Sequence, residues 1–350
     1  MLLIPNSATN GLRANYIGYA VISKEDEEYL EYLTEKYHKF THELSISYFN
    51  SRAWEISSQK FINIQSLILS SLSAKQENLV TLICSFPALK KLKIETLSTV
   101  RWDNDTVVQD ANLPESLVSF EIFNSNMIFC RGYRAAELLN THSNLKYLRI
   151  EHEKLLERLL DPYPSLEHLI VRLSDQTRLL QPSFRNLINL RTLDLLYPKL
   201  SYNMIESILM LPNLEDFKFN SRIEPFSNSM KIILCTNLKQ LSIRSIVFPE
   251  WTEFFINSCP NIESLKLVYS KNSLIFTKPQ MFNQLKHLII IYYSSEKFDL
   301  QALLLSPILK RLELFVSRSV EDFTSEFFED LNSISNWKNI VIDNRIVLYK

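Results

Sequence analysis

The sequence predicts an α/β right-handed solenoid, with a curved parallel sheet on its concave face and helices or turns outside. Three observations predict this class. A six-residue pattern, apolar-x-x-apolar-x-apolar, recurs along most of the 350 residues. Successive copies start at nearly constant spacing, and apolar residues at helical spacing occur between them. We expect about 11–12 repeats from this pattern.

The copies of the pattern can be aligned by their first apolar residue. They begin at Ile64, Leu89, Leu117, Leu145, Leu166, Leu190, Leu214, Leu238, Ile262, Leu285, Leu309 and Trp337. The intervals between these starts are 25, 28, 28, 21, 24, 24, 24, 24, 23, 24 and 28 residues. Such a period is typical of leucine-rich repeats, which recur every 20–29 residues or so.

Each copy combines a strand signal with a helical signal. The last two apolar residues of the pattern alternate with polar ones, so both point to one side of a short strand. The residues between them point to the other side. Stretches such as 79–83, 207–211 and 251–256 carry apolar residues at helical spacing and can pack back onto the strands. One repeat cannot bury its own apolar face, so the copies must stack into a continuous core.

The two ends of the array are predicted to be capped. Residues 24–37 read as a helix, with Ser23 as the N-cap and Asp26 three residues later in a capping-box arrangement. Near the other end, two strands are expected around a turn at Asp343–Asn344. We therefore divide the chain into an N-terminal helical cap (1–60) and a leucine-rich-repeat solenoid with a C-terminal strand cap (61–350).

Charge and cysteine usage restrict the partners and the compartment. The 38 basic and 39 acidic residues give a net charge of -1, which disfavours nucleic acid as the main ligand. No apolar run approaches the length of a membrane-spanning helix, so we expect no membrane partner. The cysteines lie far apart, which favours buried thiols over zinc ligands and a cytoplasmic, or alternatively nuclear, location. They are Cys84, Cys130, Cys235 and Cys259.

The chain is not expected to be an enzyme or to hold a cofactor. Its three glycines are isolated, whereas phosphate-cradling loops need clustered glycines. His38 and His42 are four residues apart, but Lys39 stands where a zinc protease has glutamate, so surface histidines are expected. Asp103 and Asp105 lack the remaining ligands of a calcium loop. We expect no metal site.

One repeat resembles a known family. Residues 257–267, NSCPNIESLKL, resemble the unit of F-box/leucine-rich-repeat (ribonuclease-inhibitor-like) proteins, and residues 85–89, 163–166 and 210–214 are weaker echoes. In that family the solenoid captures a substrate protein, and an N-terminal F-box recruits a cullin-type ubiquitin ligase through an adaptor. The resemblance offers a divergent F-box remnant as the alternative to a helical cap for residues 1–60. They contain no recognisable F-box: Trp54 has no cysteine three residues before it.

The predicted site is a protein-binding surface on the concave face. Its candidate residues flank or separate the inward apolar residues of the strands: Lys91, Lys93, Tyr147, Arg149, Glu151, His168, Arg172, Asp194, Asp216, Lys218, Arg244, Lys266, His287, Arg311 and Glu313. Trp102, in a long interval between copies, is a separate loop candidate. The first functional hypothesis is an F-box-like substrate receptor that also contacts a cullin adaptor. The alternative is a repeat scaffold or regulator unrelated to ubiquitin.

Overall fold

The structure, a computed structural model, separates into two compact units, Met1–Val171 and Arg172–Lys350. Each unit is described by itself. The described residues are 2–4, 12–17, 24–47, 58–70, 81–95, 113–123, 143–151, 163–173, 184–225, 231–244, 249–268, 284–292, 307–316, 337–342 and 345–350. Trp102, Ser23, Asp103, Asp105 and Cys130, all singled out from the sequence, lie outside these ranges.

The first unit is a parallel sheet with one antiparallel strand at its N-terminal edge. In chain order its elements are β1 (Leu2–Ile4), β2 (Leu12–Ile17), α1 (Lys24–Tyr37), β3 (Thr41–Ser47), β4 (Ser66–Ser70), β5 (Lys91–Glu95), β6 (Ser119–Phe123), β7 (Tyr147–Ile150) and β8 (His168–Arg172). Strand β1 pairs antiparallel with β2, and β2 to β8 pair in parallel in chain order. The five predicted copies in this unit are therefore strands β4 to β8.

The second unit continues the same plan. Its elements are β9 (Thr192–Leu200), α2 (Tyr202–Leu209), β10 (Asp216–Ile223), β11 (Gln240–Ile243), α3 (Pro249–Ser258), β12 (Ser264–Val268), β13 (His287–Tyr292), β14 (Arg311–Val316), β15 (Lys338–Ile342) and β16 (Arg345–Tyr349). Strands β9 to β14 pair in parallel in chain order. Parallel strands joined by helices or turns at the repeat spacing confirm the leucine-rich-repeat solenoid class.

The core of each unit consists of equivalent residues stacked from strand to strand. Leu193, Phe217 and Leu241 are register partners across β9, β10 and β11, and all three are buried. The first apolar residue of each copy is buried too, as at Leu190 and Leu214. Each strand thus buries one face against the core and leaves the other half-exposed, as the two-residue alternation predicts.

In several copies the residue before the first apolar position is an asparagine. Its side-chain amide donates a hydrogen bond to a backbone carbonyl of the preceding repeat. Asn213 donates to Ile188 O at 2.8 Å, and Asn261 donates to Thr236 O at 2.8 Å. Asn144 and Asn237 make the equivalent bonds. These bonds satisfy carbonyls in the turns that no strand neighbour reaches, and they fix the spacing of adjacent repeats.

Two helices of the second unit cover its core. Helix α2 begins at the N-cap Ser201, whose hydroxyl accepts a hydrogen bond from Met204 N. Helix α3 begins with proline and buries Trp251 and Phe255. The Phe255 ring lies 5.6 Å from that of Phe219 on β10. The predicted helical stretches 207–211 and 251–256 therefore lie in or next to helices, and a helical turn is described at 81–84.

The N-terminal region differs from the predicted helical cap. Helix α1 has the predicted bounds, but β2 and β3 extend the parallel sheet into residues 1–60. Strand β3 begins at Thr41, followed by the buried Leu44 and Ile46 in the usual alternation. Thr41 occupies the position where other copies have an apolar residue. Thr41 is fully buried, and its hydroxyl donates a hydrogen bond to Tyr37 O at 2.9 Å. This bond satisfies the hydroxyl, so a polar residue can occupy the buried position.

The C-terminal end forms the predicted hairpin: β15 and β16 pair antiparallel, and β16 also pairs antiparallel with β14. The twelfth copy, β15, therefore lies at the edge of the sheet, one strand beyond β16. Ile346, Val347 and Leu348 of β16 are buried and continue the core, whereas Lys338 and Ile340 of β15 are exposed.

A buried carboxylate joins the hairpin to the solenoid. Glu313 on β14 is 2% exposed. It accepts from His287 Nε2 at 2.9 Å, pairs with Arg311 Nε at 2.7 Å, and also binds the guanidinium of Arg345 on β16. Burial raises the pKa of Glu313, but the hydrogen bonds from Arg345 and His287 and the charge of Arg311 outweigh it, so the pKa lies below its ordinary value. The carboxylate is therefore ionised at neutral pH.

Replacing a stacked leucine should cost far more than replacing an exposed leucine on the same strand. Leu193 is completely buried on β9, whereas Leu196 is 40% exposed. We expect Leu193→Ala to lower the free energy of unfolding by about 2–5 kcal/mol because it leaves a cavity. Leu196→Ala should cost less than about 1 kcal/mol. Denaturant unfolding of both variants tests this, and equal losses would contradict the assignment of the two faces.

Removing the charge of Glu313 should weaken the attachment of the C-terminal hairpin. We expect Glu313→Gln to lower the free energy of unfolding by roughly 1–3 kcal/mol at pH 7, because Arg311 and Arg345 lose their counter-charge. The native pKa is depressed, so the stabilisation is complete above the unfolded-state pKa of about 4.3 and is lost as pH falls through the native pKa. The difference in unfolding free energy between wild type and variant should therefore narrow as the pH falls below about 4.3, and a difference that stays constant down to the lowest pH at which the protein is folded would contradict this role.

Candidate functional site

The candidate residues lie on one face of the sheet in each unit, called here the polar face. It carries the strand positions that alternate with the buried core positions. The structure places every predicted partner-binding residue at such a position, or directly after its strand in the case of Glu151 and Arg244. Whether these residues bind a partner is a separate question. The contacts that these residues already make on the polar face determine which of their charges and hydrogen-bonding groups are available to a partner.

The polar face of the first unit carries an aromatic pair beside an ion pair. Tyr147 and His168 are register partners on β7 and β8, with ring centroids 6.3 Å apart. Next to them, Arg149 pairs with Glu151 at 3.1 Å. All four side chains are partly exposed. The two aromatic side chains thus lie next to each other on neighbouring strands, and each is partly exposed.

Two lysines on β5 differ in their surroundings. Lys93 pairs with Glu95, which also accepts a hydrogen bond from Ser70 on β4 at 3.2 Å. Lys91 is exposed, and Arg172, at the end of β8, is partly exposed. The charge of Lys93 is thus opposed by a glutamate that was not selected from the sequence.

On β9 to β11, the polar face of the second unit carries two ion pairs whose charges cancel. Arg244 donates both terminal nitrogens to the carboxylate of Asp194, at 3.3 and 3.4 Å, across the intervening strand β10. Lys218 pairs with Asp216 at 2.6 Å. Because each carboxylate neutralises one cation, these four residues add no net charge to the face.

Towards the C-terminal side the balance is positive. The ammonium of Lys266 lies 5.4 Å from the ring centroid of Phe315, and the guanidinium of Arg345 lies 5.1 Å from the same centroid. Cations are attracted to the face of an aromatic ring. Glu313 is the carboxylate closest to this cluster, and it is already bound by Arg345, His287 and Arg311. Within the described ranges, Lys266 has no carboxylate within ion-pair distance.

The charged form of Lys266 is destabilised by its surroundings. Burial lowers the pKa of Lys266, and the positive charge of Arg244 lowers it further. Glu313 acts in the opposite direction, while Arg345 and Lys218 add to the lowering. An anion placed beside Lys266 would relieve both the burial of the charge and the repulsion from its neighbours.

Besides Glu95, three residues that shape this face were missed from the sequence. Phe315 could have been found, since it follows Glu313 in the same alternation. Ser242 occupies the usual position on β11 but carries no charge and was passed over. Arg345 had no usable signal, because only the insertion of β16 next to β14 brings it to Phe315. Trp102, the loop candidate, lies outside the described residues, so its role stays a prediction.

The cysteines and the search for metal ligands add no further site. Cys235 and Cys259 are buried and Cys84 is partly buried, in agreement with the expected buried thiols. Hydrogen bonding to Cys235, together with burial, raises the pKa of the Cys259 thiol, which therefore stays protonated at neutral pH. The residues that the structure describes contain no group of three potential metal ligands. None of their helices is long and apolar enough to cross a membrane.

No protein-family model and no curated protein matches this sequence. Among solved structures, an internalin (inlF) from Listeria monocytogenes aligns with a TM-score of 0.46 and 15% identity over 89% of this chain and 87% of its own. The TLR13–ssRNA13 complex gives 0.48 and 13%, over 82% of this chain and 52% of that one. The LRR ectodomain of the Arabidopsis receptor kinase HAESA, in complex with a peptide hormone ligand, gives 0.41 and 17%, over 73% and 44%.

The chain thus spans about half the length of the second and third of these proteins. At such low identity, the class of this chain depends on its own features. Its parallel strands follow one another in chain order, and their copies recur at the spacing read from the sequence. The parallel ladder and the spacing of its copies together make this chain a leucine-rich-repeat solenoid.

Proposed function

We propose that this chain is a protein-binding module that holds its partner on the polar face. The observation that carries the proposal is the row of half-exposed aromatic and charged side chains fixed at alternate positions of in-register strands. Six parallel strands of the second unit, about 4.8 Å apart, present a surface roughly 24 Å across. A surface of that width suits a protein segment better than a small metabolite.

The aromatic pair of the first unit is the proposed anchor. Tyrosine is enriched among the residues that dominate binding energy, because it buries a large rigid ring and keeps a polar end. Tyr147 and His168 are both partly exposed and adjacent across two strands. Arg149 and Glu151 beside them provide a polar rim. The remaining candidate residues would then set orientation and charge complementarity.

We further propose that the bound protein is a substrate presented to a cullin-type ubiquitin ligase. The support for this more specific role is the resemblance of residues 257–267 to F-box/leucine-rich-repeat proteins. In the structure this stretch supplies the buried Cys259, the inter-repeat hydrogen bond of Asn261, and strand β12. Under this proposal residues 1–60 provide the contact to a cullin adaptor. The second candidate function is a scaffold or regulator with no link to ubiquitin.

The binding role is tested by purifying partners with a tagged full-length chain and with two matched double variants. The extract is cytoplasmic, where we propose that the chain resides, and a nuclear extract is the second source. We expect Tyr147→Ala with His168→Ala to reduce partner capture at least about fivefold, because two adjacent anchors are removed. The control changes the residues directly before the same two strands, Lys146→Ala with Glu167→Ala. These two residues form a salt bridge of 2.8 Å outside the polar face.

The control should capture as much partner as wild type, and both variants should keep the melting temperature within about 2 °C, which corresponds to roughly 1.5 kcal/mol for a chain of this length. Equal capture by wild type and the anchor variant would remove the polar face of the first unit from the proposal. Quantitative mass spectrometry of the same samples separates the two candidate functions. A cullin and its adaptor among the captured proteins are expected of a ligase receptor, and their consistent absence beside a captured partner supports the scaffold.

A further inference from the structure

We propose that the polar face of the second unit contains a carboxylate-binding site, formed by Ser242 and Lys266, that receives an acidic segment of the protein partner. This inference rests on the proposed protein-binding function and specifies the chemistry of the partner. Two independent features of the structure support it. One is a buried hydroxyl that forms no hydrogen bond to any residue the structure describes. The other is a cation on the adjacent strand that has no carboxylate partner among the same residues.

The hydroxyl belongs to Ser242 on β11. Its neighbours Leu241 and Ile243 are buried in the core, so Ser242 faces the opposite, polar side of the sheet. The residue is only 7% exposed, and its Oγ makes no hydrogen bond to the described residues. A buried hydroxyl left unsatisfied costs free energy, and native structures normally supply a partner. A ligand oxygen would satisfy it.

The cation belongs to Lys266, the register partner of Ser242 on β12. Adjacent strands are about 4.8 Å apart, so the two side chains leave the sheet next to each other. Lys266 lies over the ring of Phe315 together with Arg345, and Arg345 is already bound to Glu313. The ammonium is therefore partly buried among positive charges, and it is positioned by an aromatic ring that cannot neutralise it.

The nearby acids are already paired, so none of them occupies this place. Asp194 holds Arg244 through two contacts, and Asp216 holds Lys218. Lys218 is the register partner of Ser242 on its other side. The hydroxyl therefore has a lysine on each neighbouring strand, one neutralised and one not. The excess positive charge is localised at Lys266.

The number of donors favours a carboxylate as the ligand. One uncompensated ammonium and one hydroxyl match the two oxygens and the single negative charge of an aspartate or glutamate side chain. A phosphate dianion binds more favourably to an arginine that is free to make two hydrogen bonds to it. Arg244 is not free in this way, because it is already bound to Asp194. A nucleic-acid backbone would bring regularly spaced phosphates close to Asp194 and Asp216, where their charges repel. A single aspartate or glutamate side chain needs neither a free arginine nor a second negative charge beside Asp194 or Asp216.

The site is tested with a labelled twelve-residue peptide of alternating glutamate and alanine, titrated by fluorescence anisotropy at low salt. A peptide with glutamine in place of glutamate measures attraction that does not depend on charge. We expect the glutamate peptide to bind and the glutamine peptide not to bind. Lys266→Ala should weaken binding about tenfold, as the loss of a partly buried ion pair implies, and Lys266→Arg should retain most of it. Ser242→Ala should weaken binding severalfold without lowering the melting temperature, since the hydroxyl makes no hydrogen bond within the described part of the chain.

The matched control is Lys310→Ala, which removes the same charge from an exposed lysine at the turn before β14, outside the polar face. Equal weakening by Lys310→Ala and Lys266→Ala would show general attraction to a positive surface and overturn the site. Tighter, Lys266-dependent binding of a phosphoserine version of the peptide, or of a single-stranded oligonucleotide, would overturn the choice of a carboxylate. So would unchanged binding in Lys266→Ala.

The outcomes also separate this site from the proposed function. If the partner captured from extract stays bound to Lys266→Ala while Tyr147→Ala with His168→Ala loses it, the carboxylate site fails and the binding role stands. If the glutamate peptide binds through Lys266 but no extract protein depends on the polar face, the site stands and the proposed function fails.

Discussion

The shared register of the parallel strands is the constraint on which the rest of this structure depends. A strand of five residues has amide and carbonyl groups that only a neighbouring strand can satisfy. Within each unit, the neighbour of a parallel strand from β4 to β14 is the next copy of the same pattern, as with Leu67 beside Leu92 and Leu92 beside Phe120. Hydrogen bonds in the turns also join neighbouring copies, as those of Asn213 and Asn261 do. No single repeat is stable alone, because each one depends on hydrogen bonds and apolar contacts with its neighbours.

The same register creates the polar face. Because equivalent positions align across strands, residues far apart in sequence become neighbours, as with Asp194 and Arg244 or Ser242 and Lys266. Partly exposed ion pairs of this kind contribute little to stability. Their effect is to fix where charge is neutralised and where it is not. The array thus separates two roles: the stacked apolar residues stabilise the fold, and the alternate residues set the charge and shape offered to a partner.

Much of this plan could be predicted from the sequence because the plan is periodic. The strands from 66 to 316, the alternation of faces and the bounds of α1 follow from spacing and capping. Strand β3 was not predicted because Thr41 stands at the position where the pattern requires an apolar residue. Its hydroxyl donates a hydrogen bond to the carbonyl of Tyr37. The order of β15 and β16 could not be predicted, because a hairpin signal does not say which strand meets the sheet. For the same reason Arg345, and with it the cation pair over Phe315, could not be placed.

The most direct test of this account is to measure the strand register in solution with engineered cysteines. Ser66 on β4 and Lys91 on β5 are register partners, so Ser66→Cys with Lys91→Cys brings two thiols within disulfide distance. Ser66→Cys with Lys93→Cys places them two residues apart along the strand, at about 8 Å between Cα atoms, too far to join. After mild oxidation, peptide mass mapping should find the first disulfide and not the second. A disulfide between positions 66 and 93, with none between 66 and 91, would contradict the register and the polar face derived from it.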